Sequence, residues 1–263
     1  MCGIAGYSLG TESRVDRTLA AQALLAGIAE RGADAVGYGY RADGAVVVHK
    51  QQTGASALLD SMALPASAGA ALVHVRDYTK GHPTIFANNH PIRHGRVVGI
   101  HNGIVANDDE LLARHGLARE EREMTVDSEA IFALVDAHGT SPEVLEELVG
   151  VIAAAWIDER EPEPLHLVRG VGRPLWIARG RHEVLFASTR AALEVAEEAL
   201  RTTFLKSQVD EGRLLVLVDG GIAEERRWSP DRSFREEGDL PAVRAPHEGL
   251  SCLELLSALV QPA

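Results

Sequence analysis

A chain of 263 residues, 46% hydrophobic and 24% charged, is long enough to bury a large core and has the make-up of a folded globular protein. Its net charge of −12 argues against a broad nucleic-acid-binding surface, and no apolar run reaches the roughly 18 residues of a membrane span. The N-terminus has neither the basic nor the apolar region of a secretory signal, and two cysteines, Cys2 and Cys252, make no disulfide framework, so a reducing, cytoplasmic setting is expected.

Residues 2–8, CGIAGYS, read as a short apolar strand. Residues 14–30 read as an amphipathic helix with Leu19, Ala23, Ala26 and Ile28 on its apolar stripe, and Gly32 can end it. A glycine-rich strand follows and pairs with 45–50 across the Ala42–Gly44 turn. Residues 56–63 read as a short helix. Residues 71–76 and 96–103 read as strands, joined by a long polar loop of a length that usually carries function. Residues 127–139 read as a helix with Asp127 or Ser128 near its N-cap, and Ser141-Pro142 opens another. Four strand-like segments, 151–157, 164–170, 174–180 and 183–189, lead to a helix at 190–200 and a strong strand at 212–221. Residues 224–246 read as loop, and 248–260 as a short amphipathic helix docked on the body. Roughly ten strands and four or five helices, grouped rather than alternating, predict a mixed sheet layered with helices rather than a doubly wound parallel sheet. Neither GxGxxG after the first strand nor a GxxxxGK[ST] loop occurs, so nucleotide binding has no support.

Cys2 follows the initiator methionine and is small enough for an aminopeptidase to expose it. It would then carry a thiol and a free α-amine, whose pKa of about 7.7–8.0 makes it a usable base near neutral pH. The plainer alternative is a small buried residue at a strand start. A thiol attacking a carbonyl needs donors for the oxyanion, and Asn102 and Gly103 offer a side-chain amide and a main-chain N–H, unless they form a simple Asn-Gly turn. Arg76 can clamp a carboxylate and Asp127 can pair with an ammonium; each is equally a surface charge or a cap. His74, His82, His90, His94 and His101 share one span but match no zinc spacing, so no metal is expected. Trp156, Trp176, Trp228 and Cys252 read as packing residues.

These features occur in one order: Cys-Gly-Ile at the start, then RGADAVG, HVRDYTKG, NNHP, HNGIVAN and TVDSEAI. In that order they resemble the glutaminase domain of the class II glutamine amidotransferases, which are N-terminal-nucleophile hydrolases. Examples are the amide-transfer domains of glucosamine-6-phosphate synthase and amidophosphoribosyltransferase. The resemblance is specific from residue 2 to about 130 and looser over the later strands. It implies an α+β fold, a four-layer αββα sandwich, with the domain over 1–223 and a C-terminal extension, 224–263, packed on it. Cys2 becomes the nucleophile on the glutamine side-chain amide, forming a γ-glutamyl thioester that water hydrolyses. Asn102 and Gly103 fall on the oxyanion hole, Arg76 and Thr79 on the loop that holds the α-carboxylate, and Asp127 on the acid that binds the α-ammonium. Arg31 and Gly32 support the nucleophile strand, and no cofactor is implied.

Two residues depart from that pattern. Asp77 stands where relatives often carry an aromatic lid residue, and Lys80 precedes the loop glycine. They could alter glutamine affinity, suit another γ-glutamyl compound, or mark a docking loop. Nothing after about 224 is expected to be large enough for an acceptor domain. Three readings follow: a subunit passing ammonia to a separate synthase, an independent amidohydrolase, or a silent binding subunit. The expected partners are L-glutamine or a γ-glutamyl compound, a synthase chain and further copies of the protein itself, with no nucleic acid or membrane. While Met1 is attached, the nitrogen of Cys2 is an amide, so the active form is expected to begin at Cys2.

Overall fold

Side chains alternate along β1 (Gly3–Leu9): Ala5 and Tyr7 join one apolar cluster and Ile4 joins another. A strand that is apolar on both faces must lie between two layers, and that requirement organises the protein. The computed structural model describes residues 1–236 and 241–260.

One sheet has seven antiparallel strands in the order β11 (Leu205–Gln208), β9 (Trp176–Arg179), β10 (Glu183–Ala187), β1, β4 (Ala70–Arg76), β2 (Ala35–Ala42) and β3 (Ala45–Gln51). The other has six: β13 (Gly221–Arg227), β12 (Arg213–Val218), β8 (Leu165–Arg169), β7 (Gly150–Asp158), β6 (Val97–Val105) and β5 (Ile92–His94). Ile4, Leu72, Val98, Ile100, Ala155 and Leu167 belong to the cluster between the sheets. Helices α1 (Arg17–Ile28), α2 (Ser56–Leu59), α6 (Arg190–Ala199) and α7 (Pro246–Val260) cover the first sheet. Helices α3 (Asp108–Arg114), α4 (Glu129–His138) and α5 (Pro142–Glu146) cover the second. The expected four-layer αββα sandwich is what forms.

Local chemistry sets several of these boundaries. Asp16 caps α1 by accepting from Leu19 N at 2.8 Å, and Ser141 and Thr189 cap α5 and α6. Three strands go beyond the expected ten because little in them alternates. β5 has three residues, β11 has four, and β13, GIAEERR, is a charged edge strand that runs into the segment read as loop. Helix α3, also unexpected, begins with three acids that suit a helix N-terminus and buries Leu111 and Leu112. The extension of 224–263 includes 237–240 and 261–263, which lie outside the described residues; its last helix forms as α7. No helix among the described residues is long and apolar enough to cross a membrane.

Candidate active site

Antiparallel pairing of β1 with β4 sets Gly3 opposite Val75 and Ile4 opposite His74. Cys2 therefore emerges beside the end of β4, where Arg76 and Asp77 lie. Cys2 Sγ donates to Asp77 O at 3.4 Å, and Arg31 Nε donates to Cys2 O at 2.9 Å. Gly32 allows this approach, since a Cβ there would sit 2.4 Å from Arg76 O. Burial pushes the Cys2 thiol above its ordinary pKa, and the nearby Arg76 charge pulls the other way. The net rise means the thiol waits protonated, so attack needs a base to take its proton.

Arg76 is buried, and period-two alternation places it on the face of Leu72 and His74, toward the second sheet. Its Nη1 donates to Asn89 Oδ1 at 2.6 Å, and its Nη2 donates to Lys80 O at 3.0 Å and to Gly81 O. All these partners are neutral oxygens, and no ion pair to Arg76 forms among the described residues. A buried cation held this way is suited to receive a carboxylate from a ligand. Asn89 is locked in turn by donating to Pro83 O at 2.8 Å and by accepting Lys50 Nζ at 2.9 Å. Lys80 does not point at this site. Its ammonium pairs with Asp108 at 2.6 Å and Asp109 at 3.2 Å, pinning the loop to α3. Thr79 is exposed and makes no side-chain hydrogen bond among the described residues.

On β6, Val98 and Ile100 enter the inter-sheet core, so Asn102 follows on the same inner face. It is buried, and its Nδ2 has no hydrogen-bond partner. Gly103 has φ +152°, and a Cβ there would lie 1.8 Å from Val151 O on β7. No other residue fits so close to that carbonyl. His74 Nε2 meets His101 O at 3.2 Å, which ties β4 to β6 next to Asn102.

Ser128 takes the expected N-cap position of α4, but neither its side chain nor that of Asp127 makes a capping hydrogen bond. Asp127 Oδ2 accepts from Val105 N at 2.7 Å, and Ser128 Oγ meets His101 Nδ1 at 2.9 Å, so both side chains brace β6 instead. Burial, with the Asp108 charge adding to it, raises the Asp127 pKa to about 6. Asp127 makes no ion pair among the described residues, although Arg76 feels its charge. A desolvated anion without a counter-ion is suited to an ammonium.

Three of the five clustered histidines meet beside this site. His74 and His90 stack with ring centroids 4.1 Å apart, and burial lowers His74 and His101 to about 3 and His90 well below the usual range. They are neutral at neutral pH. His94 pairs instead with Glu129 at 3.0 Å, and His82 with Thr84 at 2.8 Å. No group of His, Cys, Asp or Glu able to hold a metal ion occurs among the described residues. Sequence reasoning did not single out Asn89, although NNHP was legible as a motif. It also missed Arg173, which is buried and pairs with Glu236 at 2.6 Å, and Arg244, which lies 3.3 Å from Asp77. No local signal marks either arginine.

Residues 80–195 match the family described as Glutamine amidotransferase domain. The chain is 32% identical over 202 residues to a glutamine–fructose-6-phosphate aminotransferase (isomerizing) of Caulobacter vibrioides, covering 73% of this chain and 32% of that protein. It is 31% identical over 233 residues to the protein of the same name from Symbiobacterium thermophilum, covering 84% and 36%. It thus spans about a third of the length of these relatives. Among solved structures, the B. subtilis glutamine phosphoribosylpyrophosphate amidotransferase superposes with a TM-score of 0.69 at 22% identity, over 88% of this chain and 50% of that one. A class-II glutamine aminotransferase domain protein from Silicibacter pomeroyi superposes with a TM-score of 0.55 at 19% identity, over 87% and 100%. These two likenesses establish the fold.

Proposed function

The chain carries a class II glutamine amidotransferase domain of the N-terminal-nucleophile type, and on that premise we propose that it hydrolyses the side-chain amide of L-glutamine through a thioester on Cys2. The α-amine of Cys2, freed when Met1 is removed, takes the thiol proton as Sγ attacks the amide carbon. Negative charge then builds on the amide oxygen, where Asn102 Nδ2 and the Gly103 N–H receive it. The amine returns its proton to the leaving nitrogen and ammonia departs. Water, activated by the same amine, then attacks the thioester and releases glutamate. Arg76 holds the substrate α-carboxylate, and Asp127 holds its α-ammonium.

The observation that carries this reading is Asn102 Nδ2, a buried amide donor without a partner on the inner face beside β4. Leaving such a donor unpaired costs about 1–3 kcal/mol, a cost that suits a site built to receive an oxygen. The match takes in about a third of these relatives, which are named as glutamine–fructose-6-phosphate aminotransferases. We therefore infer that the ammonia passes to an acceptor-using synthase. A reducing cytoplasm suits both free thiols.

Steady-state glutamate release from L-glutamine tests the reading through its pH dependence. Asp127 is an anion above about pH 6 and neutral below. Binding an ammonium needs the anion, so KM is expected to rise roughly tenfold per pH unit as pH falls below about 6. Absence of glutamate from L-glutamine at every pH would defeat the reading. A KM that stays flat through pH 6 would remove Asp127 from the ammonium site.

A further inference from the structure

Asp77 is the first residue after β4, and it touches the start of the chain twice. Its carbonyl oxygen accepts from Cys2 Sγ at 3.4 Å, and its carboxylate pairs with the terminal ammonium of Met1. The same carboxylate has a second cation. Arg244 Nε lies 3.3 Å from Oδ2 and 3.4 Å from Oδ1. Arg244 is itself fixed, because its N–H and that of Ala245 both donate to Glu30 O, at 2.9 and 2.8 Å. Glu30 immediately precedes Arg31, whose Nε holds the carbonyl of Cys2. Two segments far apart in sequence therefore meet on one carboxylate beside the thiol.

We propose that Asp77 and Arg244 form a positioning pair that holds the α-nitrogen of Cys2 next to its own thiol. This rests on the reading of that amine as the base. Met1 N lies one residue, about 3.8 Å of chain, beyond the nitrogen of Cys2. Once Met1 has gone, the nitrogen left to face Asp77 is that of Cys2. A base must be both aimed and neutral, and the two side chains divide these tasks. The carboxylate accepts the N–H of the amine and aims it, but alone it would favour the protonated ammonium. Arg244 offsets that field and keeps the amine available near neutral pH.

The other charged groups facing the pair come from several elements. Arg76 ends β4, Glu30 and Arg31 lie in the turn after α1, and Asp34 precedes β2; Arg173 faces Arg31 from the β8–β9 loop, and the Cys2 thiol itself is adjacent. With Asp77 neutralised, the cations dominate and the amine loses its proton more readily. With Arg244 neutralised, the carboxylate dominates and the amine keeps it.

The test uses protein whose intact mass starts at Cys2. It measures kcat/KM for glutamine against pH, together with the titration of Cys2 followed directly by 13C NMR of cysteine-labelled protein. Asp77→Asn is expected to move the acid limb and the amine titration to lower pH, and Arg244→Gln to move both to higher pH, each by about 0.5 pH unit given the partial exposure of Arg244. A purely structural role would lower kcat at all pH values and leave the titration in place. An unmoved titration, or one shifted in the same direction by both variants, overturns the proposal. Opposite shifts in a protein that releases no glutamate would uphold the pair and defeat the glutaminase reading. Glutamate release with an unmoved titration would do the reverse.

Discussion

Replacing Cys2 by Ala is expected to abolish glutamate release, lowering kcat/KM for glutamine by about 10⁴-fold or more. No other group in the site replaces the sulfur. Cys252 is the second thiol, and it is buried within the cluster that packs the helices onto the first sheet, with its pKa raised to about 12 by that burial. The substitution removes one long Sγ hydrogen bond to Asp77 O, so stability is expected to fall by no more than about 1 kcal/mol. Thermal unfolding together with steady-state rates checks both halves. An inactive but folded variant supports the nucleophile assignment, and a variant that still releases glutamate removes it.

Asn102→Ala separates transition-state stabilisation from binding. The side chain touches charge only once the oxyanion forms, so kcat is expected to fall about 10²- to 10³-fold, or about 3–4 kcal/mol, with KM changed by less than about threefold. Stability supplies an independent readout. Because Nδ2 has no partner in the unliganded fold, its removal forfeits no hydrogen bond there. Unfolding is therefore expected to stay within about 1 kcal/mol of the parent. A large loss of stability, or a loss confined to KM, would instead make Asn102 a structural or ground-state binding residue.

The parts of this architecture that were legible in sequence are those with strong periodicity or a recurring motif. β1, β4, β6 and α1 announce themselves by apolar spacing, and the ordered motifs from Cys2 to Asp127 point to a four-layer sandwich. What escaped has physical reasons. β13 is an edge strand with a charged sequence, so the alternation that identifies a strand is missing. Asp127 and Ser128 look like caps because short polar residues before a helix usually are. The fold turns them onto β6 through Val105 N and His101 Nδ1, contacts 22 and 27 residues away in sequence that no local pattern encodes. Lys80 reads as an active-site ammonium until Asp108 and Asp109 claim it from an unforeseen helix. Arg244 reaches Asp77 across most of the chain, and only the packing of the C-terminal segment against the turn after α1 brings them together.

The proposed thiol chemistry draws nothing from the buried histidines. His74, His90 and His101 are held neutral by burial, so none is an imidazolium able to draw the thiol into its thiolate form. In the proposed mechanism activation falls to the α-amine of Cys2, a base that exists only once Met1 has been removed. The most direct measurement compares two preparations of the unmutated protein, distinguished by intact mass: one begins at Cys2 and the other retains Met1. The account predicts glutamate release from L-glutamine by the first and at most a trace by the second, whose Cys2 nitrogen is an amide. Equal turnover by the two would contradict it.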